Sequence, residues 1–174
     1  MKVALSPLEF ARRARRLYAK NEAVVDGDLR FTYEQFLNRC DQWSNALQKM
    51  GVEKGDKVAY IAPNTHSHLE AYYAVPQIGA VLVPINYRLS ADEFEYIINH
   101  SGSKIVCVHP DYFDSVDNVR EKLTAVEHFV ALEGEKDGWS EYEQLILGIE
   151  ANYEPVDIDE DDLITINYTS GTTA

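Results

Sequence analysis

Three short apolar runs recur along the middle of the chain: Val58 to Ala62 (VAYIA), Val81 to Ile85 (VLVPI) and Lys104 to His109, which contains KIVCV. None of them alternates apolar with polar residues, so a strand made from any of them has to be covered on both faces. The stretches between them have helical spacing. Thr65 to Ile78 places Leu69, Tyr72, Tyr73 and Val75 on an inward side, and Pro76 is expected to kink this helix or end its regular hydrogen bonding. Ser90 and Glu93 form a capping box ahead of Phe94, Ile97 and Ile98, and Gly102 stops that second helix. Strand and helix in alternation predict an α/β fold with a mostly parallel sheet flanked by helices on both faces. The same beat continues with a weaker helix over about Asp111 to Leu123 and a strand at His128 to Leu132. A short helix at Trp139 to Leu147 and a final strand at Leu163 to Tyr168 complete it.

Ahead of the first run, Ser6-Pro7-Leu8-Glu9 reads as a capping box with proline at the first helical position. Phe10, Ala14, Leu17 and Tyr18 then form one apolar stripe, expected to pack inward and leave an arginine face in solvent. Glu22 to Asp26 and Leu29 to Thr32 bracket Gly27-Asp28 as a hairpin. Thr32 and Gln35 make another capping box, after which Phe36, Cys40, Trp43, Leu47 and Met50 recur at helical spacing up to the stop at Gly51. With no internal repeat and no low-complexity linker, one α/β unit accounts for all 174 residues.

Charge narrows the partners. The 16 Lys and Arg stand against 29 Asp and Glu, a net −13, which repels phosphate backbones and sets nucleic acid aside. The same sign argues against an anionic lipid surface. Six basic residues (Lys2, Arg12, Arg13, Arg15, Arg16 and Lys20) share residues 1–20 with the single acid Glu9, so that segment is +5 and the remainder −18. Such a start also fits a transit peptide, but its capping grammar favours a packed surface helix. No apolar run reaches membrane-spanning length, so the protein reads as soluble. Cys40 and Cys107 occupy core positions, which predicts buried free thiols and a reducing, cytoplasmic compartment.

Candidate chemistry concentrates past the last strand. In doubly wound sheets ligands bind beyond the carboxyl ends of strands, where Thr169, Ser170, Thr172 and Thr173 set four hydroxyls around Gly171. Glycine lets the backbone turn its N–H groups towards an anion. The loop is not a Walker P-loop, since that spacing and its lysine are absent. Taken alone, these residues also fit a polar tail. His66 and His68, two apart, fall on different helical faces without an accompanying carboxylate or thiol, so they read as exposed or capping rather than metal ligands. His100, His109 and His128 stand at element ends with a surface role, and no Ser-His-Asp arrangement assembles. Tyr72 and Tyr73 fit either core or an apolar pocket. Asn86-Tyr87-Arg88-Leu89 lies at a strand's carboxyl end, although Arg88 also suits an ion pair with one of the many acids.

Three motifs appear in a telling order: Phe31-Thr32-Tyr33-Glu34-Gln35-Phe36, then Ile78-Gly79-Ala80-Val81-Leu82-Val83-Pro84-Ile85-Asn86, then Tyr168-Thr169-Ser170-Gly171-Thr172-Thr173. Through them the chain resembles the adenylate-forming (AMP-binding) superfamily over nearly its whole length, most closely the fatty acyl-CoA synthetases. Ala174 departs from the commonest loop, which has Gly there, and matches a branch reading TSGTTA. The resemblance implies that 1–174 is the N-terminal part of an AMP-binding domain, cut inside its phosphate-binding loop. It implies a ligase that joins a carboxylic (fatty) acid to coenzyme A through an acyl-adenylate, with ATP and Mg2+. Thr169, Ser170, Gly171, Thr172, Thr173 and Ala174 then inherit the nucleotide-binding role, with Thr169 also near Mg2+, and no catalytic residue falls within the chain. Because the family's loop lysine, acyl pocket and C-terminal domain lie further on, the 174 residues alone are expected to be inactive. Two alternatives stay open: an aryl-CoA ligase or luciferase-like adenylating enzyme, and a non-catalytic α/β binding module with a degenerate loop. A parallel sheet cut after one strand would expose an apolar edge, which makes a homodimer an expectation as well.

Overall fold

A computed structural model describes residues 5–169. Its elements run α1 (Leu8–Tyr18), β1 (Glu22–Asp26), β2 (Leu29–Thr32), α2 (Tyr33–Lys49), β3 (Lys57–Ile61), α3 (His66–Ala74), β4 (Val81–Ile85), α4 (Ala91–Ser101), β5 (Ser103–Val108), α5 (Phe113–Asp117), β6 (His128–Ala131), β7 (Ser140–Glu141) and α6 (Tyr142–Ile146). Five strands form one parallel sheet in the order β4-β3-β5-β6-β7, and β1 and β2 form a separate antiparallel hairpin. Alternate residues of the continuous apolar strands point to opposite faces, as the pleat requires. Val58, Tyr60, Leu82, Ile105, Cys107 and Val130 meet α2, α3 and α6, whereas Ala59, Ile61, Val83, Ile85, Val106 and Val108 meet α4 and α5. This is the α/β sandwich expected from the apolar runs.

The local stops act as the residue chemistry dictates. Both central capping boxes close: Thr32 accepts from the Gln35 amide while the Gln35 side chain accepts from the Thr32 amide, and Ser90 and Glu93 do the same for α4. Pro76 ends the α-helical part of its segment, which continues as a 3₁₀ turn over Pro76–Ile78. Gly79 has φ +75°, and a Cβ there would stand 2.9 Å from Lys54 Cγ and 3.2 Å from Val156 Cγ1. Glycine is thus required twice over, once for the turn and once for the lysine stem crossing it. The Lys54 ammonium then donates to Asp162 at 2.7 Å and to the Asp157 carbonyl at 3.0 Å, fastening the acidic connection to the sheet.

Several elements depart from expectation. The segment 111–123 breaks into a 3₁₀ turn, the five-residue α5 and a second 3₁₀ turn, and 139–147 contributes the two-residue β7 before α6. The stretch 163–168 makes one parallel bridge, Leu82 to Thr165, in which the Leu82 amide donates to Ile164 O at 3.0 Å and the Ile166 amide donates to Leu82 O at 2.9 Å. It therefore extends the β4 edge without forming a full strand. Helix α1 is turned round. Leu8 is its buried residue, while Phe10, Leu17 and Tyr18 are exposed. Arg15, expected in solvent, donates to the Leu37 carbonyl at 2.9 Å and to Asp41 at 2.7 Å. The Ser6 hydroxyl sits 3.3 Å from the Leu8 amide, and the expected reciprocal box is replaced by Pro7 at the cap with no side-chain cap bond.

The largest correction concerns α3. Leu69 and Tyr72 are exposed, Tyr73 is half-buried and Val75 is buried, while His66, Ser67, His68 and Glu70 are buried with Ala71 and Ala74. Glu70 has no exposed surface. Its carboxylate accepts from Arg39 Nε at 2.5 Å, from Arg39 Nη2 at 3.3 Å and from Tyr142 OH at 2.5 Å. Arg39 continues to Glu143 at 2.6 and 3.0 Å and stacks over the Phe31 ring at 5.1 Å. His66 bridges onward, with Nδ1 2.8 Å from Asp26 and Nε2 3.5 Å from Glu143, and its amide donates to the same Asp26 oxygen at 2.8 Å. Sequence periodicity missed this buried polar face because its partners come from α2, α6 and the hairpin, 31 to 77 residues away.

Two consequences follow for stability. Arg39→Met leaves Glu70 buried without its cation, and the urea midpoint should fall by an equivalent of about 3 kcal/mol. For the pH dependence, burial works against the charge on Glu143, but hydrogen bonds from His66 and Arg39 win and hold it at about 2, below its ordinary 4.5. Its stabilisation is present above the unfolded value and lost as pH falls towards 2. His66 is raised above 6.5: burial opposes this, and its bonds to Glu143 and Asp26 outweigh it. That contribution is present below the unfolded value and lost as pH rises through the folded one. Urea melts stepped through pH should peak between 4.5 and 6.5, and Glu143→Gln should flatten the acidic limb.

Candidate functional site

Cavities of about 200 to 620 Å3 open among the described residues, and position relative to the strands separates three of them. One of about 620 Å3 involves Val52, Glu53 and Lys54, which precede β3, and so lies at the amino ends of the strands. One of about 200 Å3 sits between β1 and the start of α3. A third, of about 470 Å3, opens beyond the carboxyl end of β4, where parallel α/β sheets receive ligands. Asn86 and Leu89 from the loop after β4, Tyr96 and Ile97 from α4, and Tyr168 and Thr169 from the final segment form its wall. Asp92 and Glu93 complete it.

Tyr168 is held there by α4. Its hydroxyl lies 2.7 Å from His100 Nδ1 and its ring stands edge-on to the imidazole at 5.8 Å. His100 is in turn stacked on Tyr96 at 5.4 Å. The chain of rings Tyr96–His100–Tyr168 thus anchors the residue immediately before Thr169. Glu93 is engaged by the capping box, whose bonds from the Ser90 amide and hydroxyl hold its carboxyl below the ordinary range. In the loop after β4, the Arg88 amide donates to Asn86 Oδ1 at 3.1 Å and the Arg88 guanidinium stacks on Tyr87 at 5.0 Å.

Thr169 is exposed at this cavity and is the one member of the expected nucleotide loop within the described residues. Ser170, Gly171, Thr172, Thr173 and Ala174 lie outside them. A threonine hydroxyl can donate to a phosphate oxygen or coordinate Mg2+ through its lone pairs, so the described residue fits the donor chemistry that a nucleotide site needs. Asp92 and Glu93 beside it disfavour a bare polyphosphate and suit one accompanied by a cation. Leu89, Tyr96, Ile97 and Tyr168 supply an apolar wall for a flat or hydrocarbon group.

The histidines sort differently from their expected surface roles. His66 and His68 are both buried. His68 is sandwiched between Tyr60 and Tyr72 at 5.5 Å each, its Nδ1 lies 3.2 Å from the Pro63 carbonyl, and burial pushes its pKa down. Among the described residues no group of three or more His, Cys, Asp or Glu converges as a metal site. Cys40 and Cys107 are buried free thiols, both pushed up by burial. The contact of His100 with Tyr168 went unseen in the sequence because the two are 68 residues apart, and no local pattern links them.

The profile of the AMP-binding enzyme family matches residues 10–174. The chain belongs to that family. It is 37% identical to a 4-hydroxybutyrate–CoA ligase of Metallosphaera sedula over 97% of its own length and 32% of the relative's. It is 38% identical to a long-chain-fatty-acid–CoA ligase of Thermus thermophilus, over 95% and 31% respectively. Among solved structures, an anthranilate CoA ligase in complex with anthranoyl-AMP superposes on the whole chain and on 34% of that protein, with a TM-score of 0.94 at 25% identity. The chain spans about a third of the length of the relatives it matches. Within this AMP-binding fold, the sheet and its helices are those shared by acyl- and aryl-CoA ligases.

The ring chain makes a checkable demand on the final segment. His100→Ala should cost the single parallel bridge about 1 kcal/mol of local stability, seen as roughly fivefold faster hydrogen exchange at the Ile166 amide. The β3 amides, fixed by two neighbouring strands, should exchange unchanged.

Proposed function

We propose that the chain is the N-terminal part of the AMP-binding domain of an AMP-forming fatty acyl-CoA ligase. The observation that carries this reading is Thr169 at the cavity beyond β4, leading into Ser170-Gly171-Thr172-Thr173, in a chain whose family membership is otherwise plain. In this reading the parent protein activates a carboxylic acid with ATP and Mg2+, releases pyrophosphate and passes the acyl group to coenzyme A. Thr169, Ser170, Gly171, Thr172, Thr173 and Ala174 would hold the β and γ phosphates through hydroxyl and amide donors, and the Thr169 hydroxyl would also serve the Mg2+ that neutralises their charge. Such donors lower the barrier by stabilising charge as the carboxylate attacks the α-phosphorus. The 174 residues alone supply part of this cradle and none of the catalytic lysines that the resemblance places further on, so they do not turn over. We place the protein in the cytoplasm, in keeping with its free buried thiols.

The Asn86-Tyr87-Arg88-Leu89 stretch after β4 supports an acyl-CoA ligase over a peptide-synthetase adenylation module, and the similarity to the Thermus thermophilus ligase supports fatty over aryl substrates. The aryl alternative is kept alive by the anthranilate CoA ligase superposition. Continuation of the reading frame from Ala174 into the rest of the loop, x-Pro-Lys-Gly, is the first check. Carboxylate-dependent exchange of pyrophosphate into ATP should be absent from the 174-residue chain. It should appear in the longer product, with fatty acids outpacing aryl acids. In that product Thr169→Val should lower kcat/KM for ATP by about 10²-fold, as loss of one charge-stabilising donor does. Turnover by the short chain, or indifference to Thr169→Val, would count against the proposal.

A further inference from the structure

His66, the first residue of α3, is buried and has a carboxylate at each of its ring nitrogens. Nδ1 lies 2.8 Å from Asp26 Oδ2 on β1, and Nε2 lies 3.5 Å from Glu143 Oε1 on α6. A carboxylate only accepts, so both contacts are favourable only when both nitrogens carry a proton, that is, when the ring is an imidazolium. A neutral imidazole has one N–H, and its other nitrogen turns a lone pair on the carboxylate facing it. The two arms are unequal. Asp26 is tied twice, since the same oxygen also accepts from the His66 amide at 2.8 Å. Glu143 stands further from the ring and is held chiefly by Arg39, at 2.6 and 3.0 Å. A single remaining proton therefore stays on Nδ1, and Glu143 is the partner that loses its donor.

We propose that His66 is a proton-operated tie between the β1–β2 hairpin and α6, closed when the ring is charged and open on the α6 side when it is neutral. The groups packed around the ring set the direction. Burial is the largest influence and works against the charge, as does Arg39 from α2, but the bonds to Glu143 and Asp26 and the charge of Glu70 on α3 itself outweigh them and raise the pKa above 6.5. From β2 the ring receives only Phe31, at 5.8 Å and without charge. The tie is thus closed below the ordinary histidine value and opens as pH rises through the raised one. Beyond α6 the chain runs along α2, where Gln42 and Asn45 donate to the Ile149 and Glu150 carbonyls at 3.0 and 2.9 Å, before it reaches the Leu82–Thr165 bridge. Opening the tie loosens the head of that connection. It involves no residue of the cavity beyond β4, so it is independent of the nucleotide reading.

The test is proton NMR of the 174-residue chain from about pH 5.5 to about 8.5. The His66 ring should titrate with a midpoint above 6.5. Amide exchange is read at Leu147, whose N–H closes α6 on the Glu143 carbonyl at 2.9 Å. Corrected for the intrinsic rate, opening at Leu147 should rise about threefold across the His66 midpoint, while amides of β3, held between β4 and β5, stay unchanged. Glu143→Gln should lower the midpoint and abolish the step, because the glutamine amide donates to the neutral Nε2 and its oxygen still accepts from Arg39. Asp26→Asn keeps an acceptor for Nδ1, so it should lower the midpoint and carry the Leu147 step down with it. Glu143 and Asp26 are both at least partly exposed, so neither variant empties the core. A midpoint at or below 6.5 would overturn the proposal, as would flat Leu147 exchange while His66 titrates. A step that survives Glu143→Gln, or that ignores the shifted midpoint of Asp26→Asn, would do the same. A step at the β1 amides with none at Leu147 would overturn the assignment of the open arm.

Discussion

A carboxylate with no exposed surface, Glu70, sits in the helical layer over the sheet, and it is tolerable only because Arg39 and Tyr142 both reach it. Taking such a charge out of water costs several kcal/mol unless it is paired and hydrogen-bonded. Burial accordingly pushes the Glu70 carboxyl up, against the pull of Arg39 and Tyr142. The pairing requires α2, α3 and α6 to be in place together. Through Glu143 and His66 the same network takes in Asp26, so the hairpin β1–β2, which is outside the parallel sheet, is pinned to the start of α3. One ion pair thereby fixes the mutual arrangement of four elements that the apolar core alone would hold less specifically.

An ion pair of the same kind decides the orientation of α1. Arg15 reaches over α2 to Asp41, whose side chain is largely buried, and to the Leu37 carbonyl. Burial pushes the Asp41 carboxyl up, in opposition to Arg15 and Gln77. Fully burying a side chain such as Phe10 or Leu17 contributes roughly 1.5–3 kcal/mol, so leaving both outside forgoes more than most exposed ion pairs supply. The clamp on Arg15 is only partly exposed, and its carboxylate partner would be stranded if the helix rotated.

Much of the architecture was legible because it rests on short-range rules. The capping boxes at Thr32/Gln35 and Ser90/Glu93, the stop at Pro76, the hairpin around Gly27-Asp28 and the division of strand residues between two faces each follow from neighbours within a few positions. Gly79 adds a reason that the motif alone does not contain, the Lys54 stem lying against its missing side chain. The candidate site was half legible: the Asn86–Leu89 loop follows β4 as expected and Thr169 lines the cavity beyond that strand, but the Tyr96–His100–Tyr168 stack beside it was not legible.

By itself the sequence determined a two-faced parallel sheet, the starts of α2 and α4 and a family, because apolar periodicity, capping residues and motif order are local and survive without coordinates. Tertiary structure alone decided which faces of α1 and α3 are buried. Helix α3 hides polar side chains, and α1 is turned by Arg15 reaching a largely buried Asp41, through partners 26 to 77 residues away in the chain. A hydrophobic pattern ranks faces by their own residues, whereas a buried charge is stabilised by residues that only folding brings alongside it.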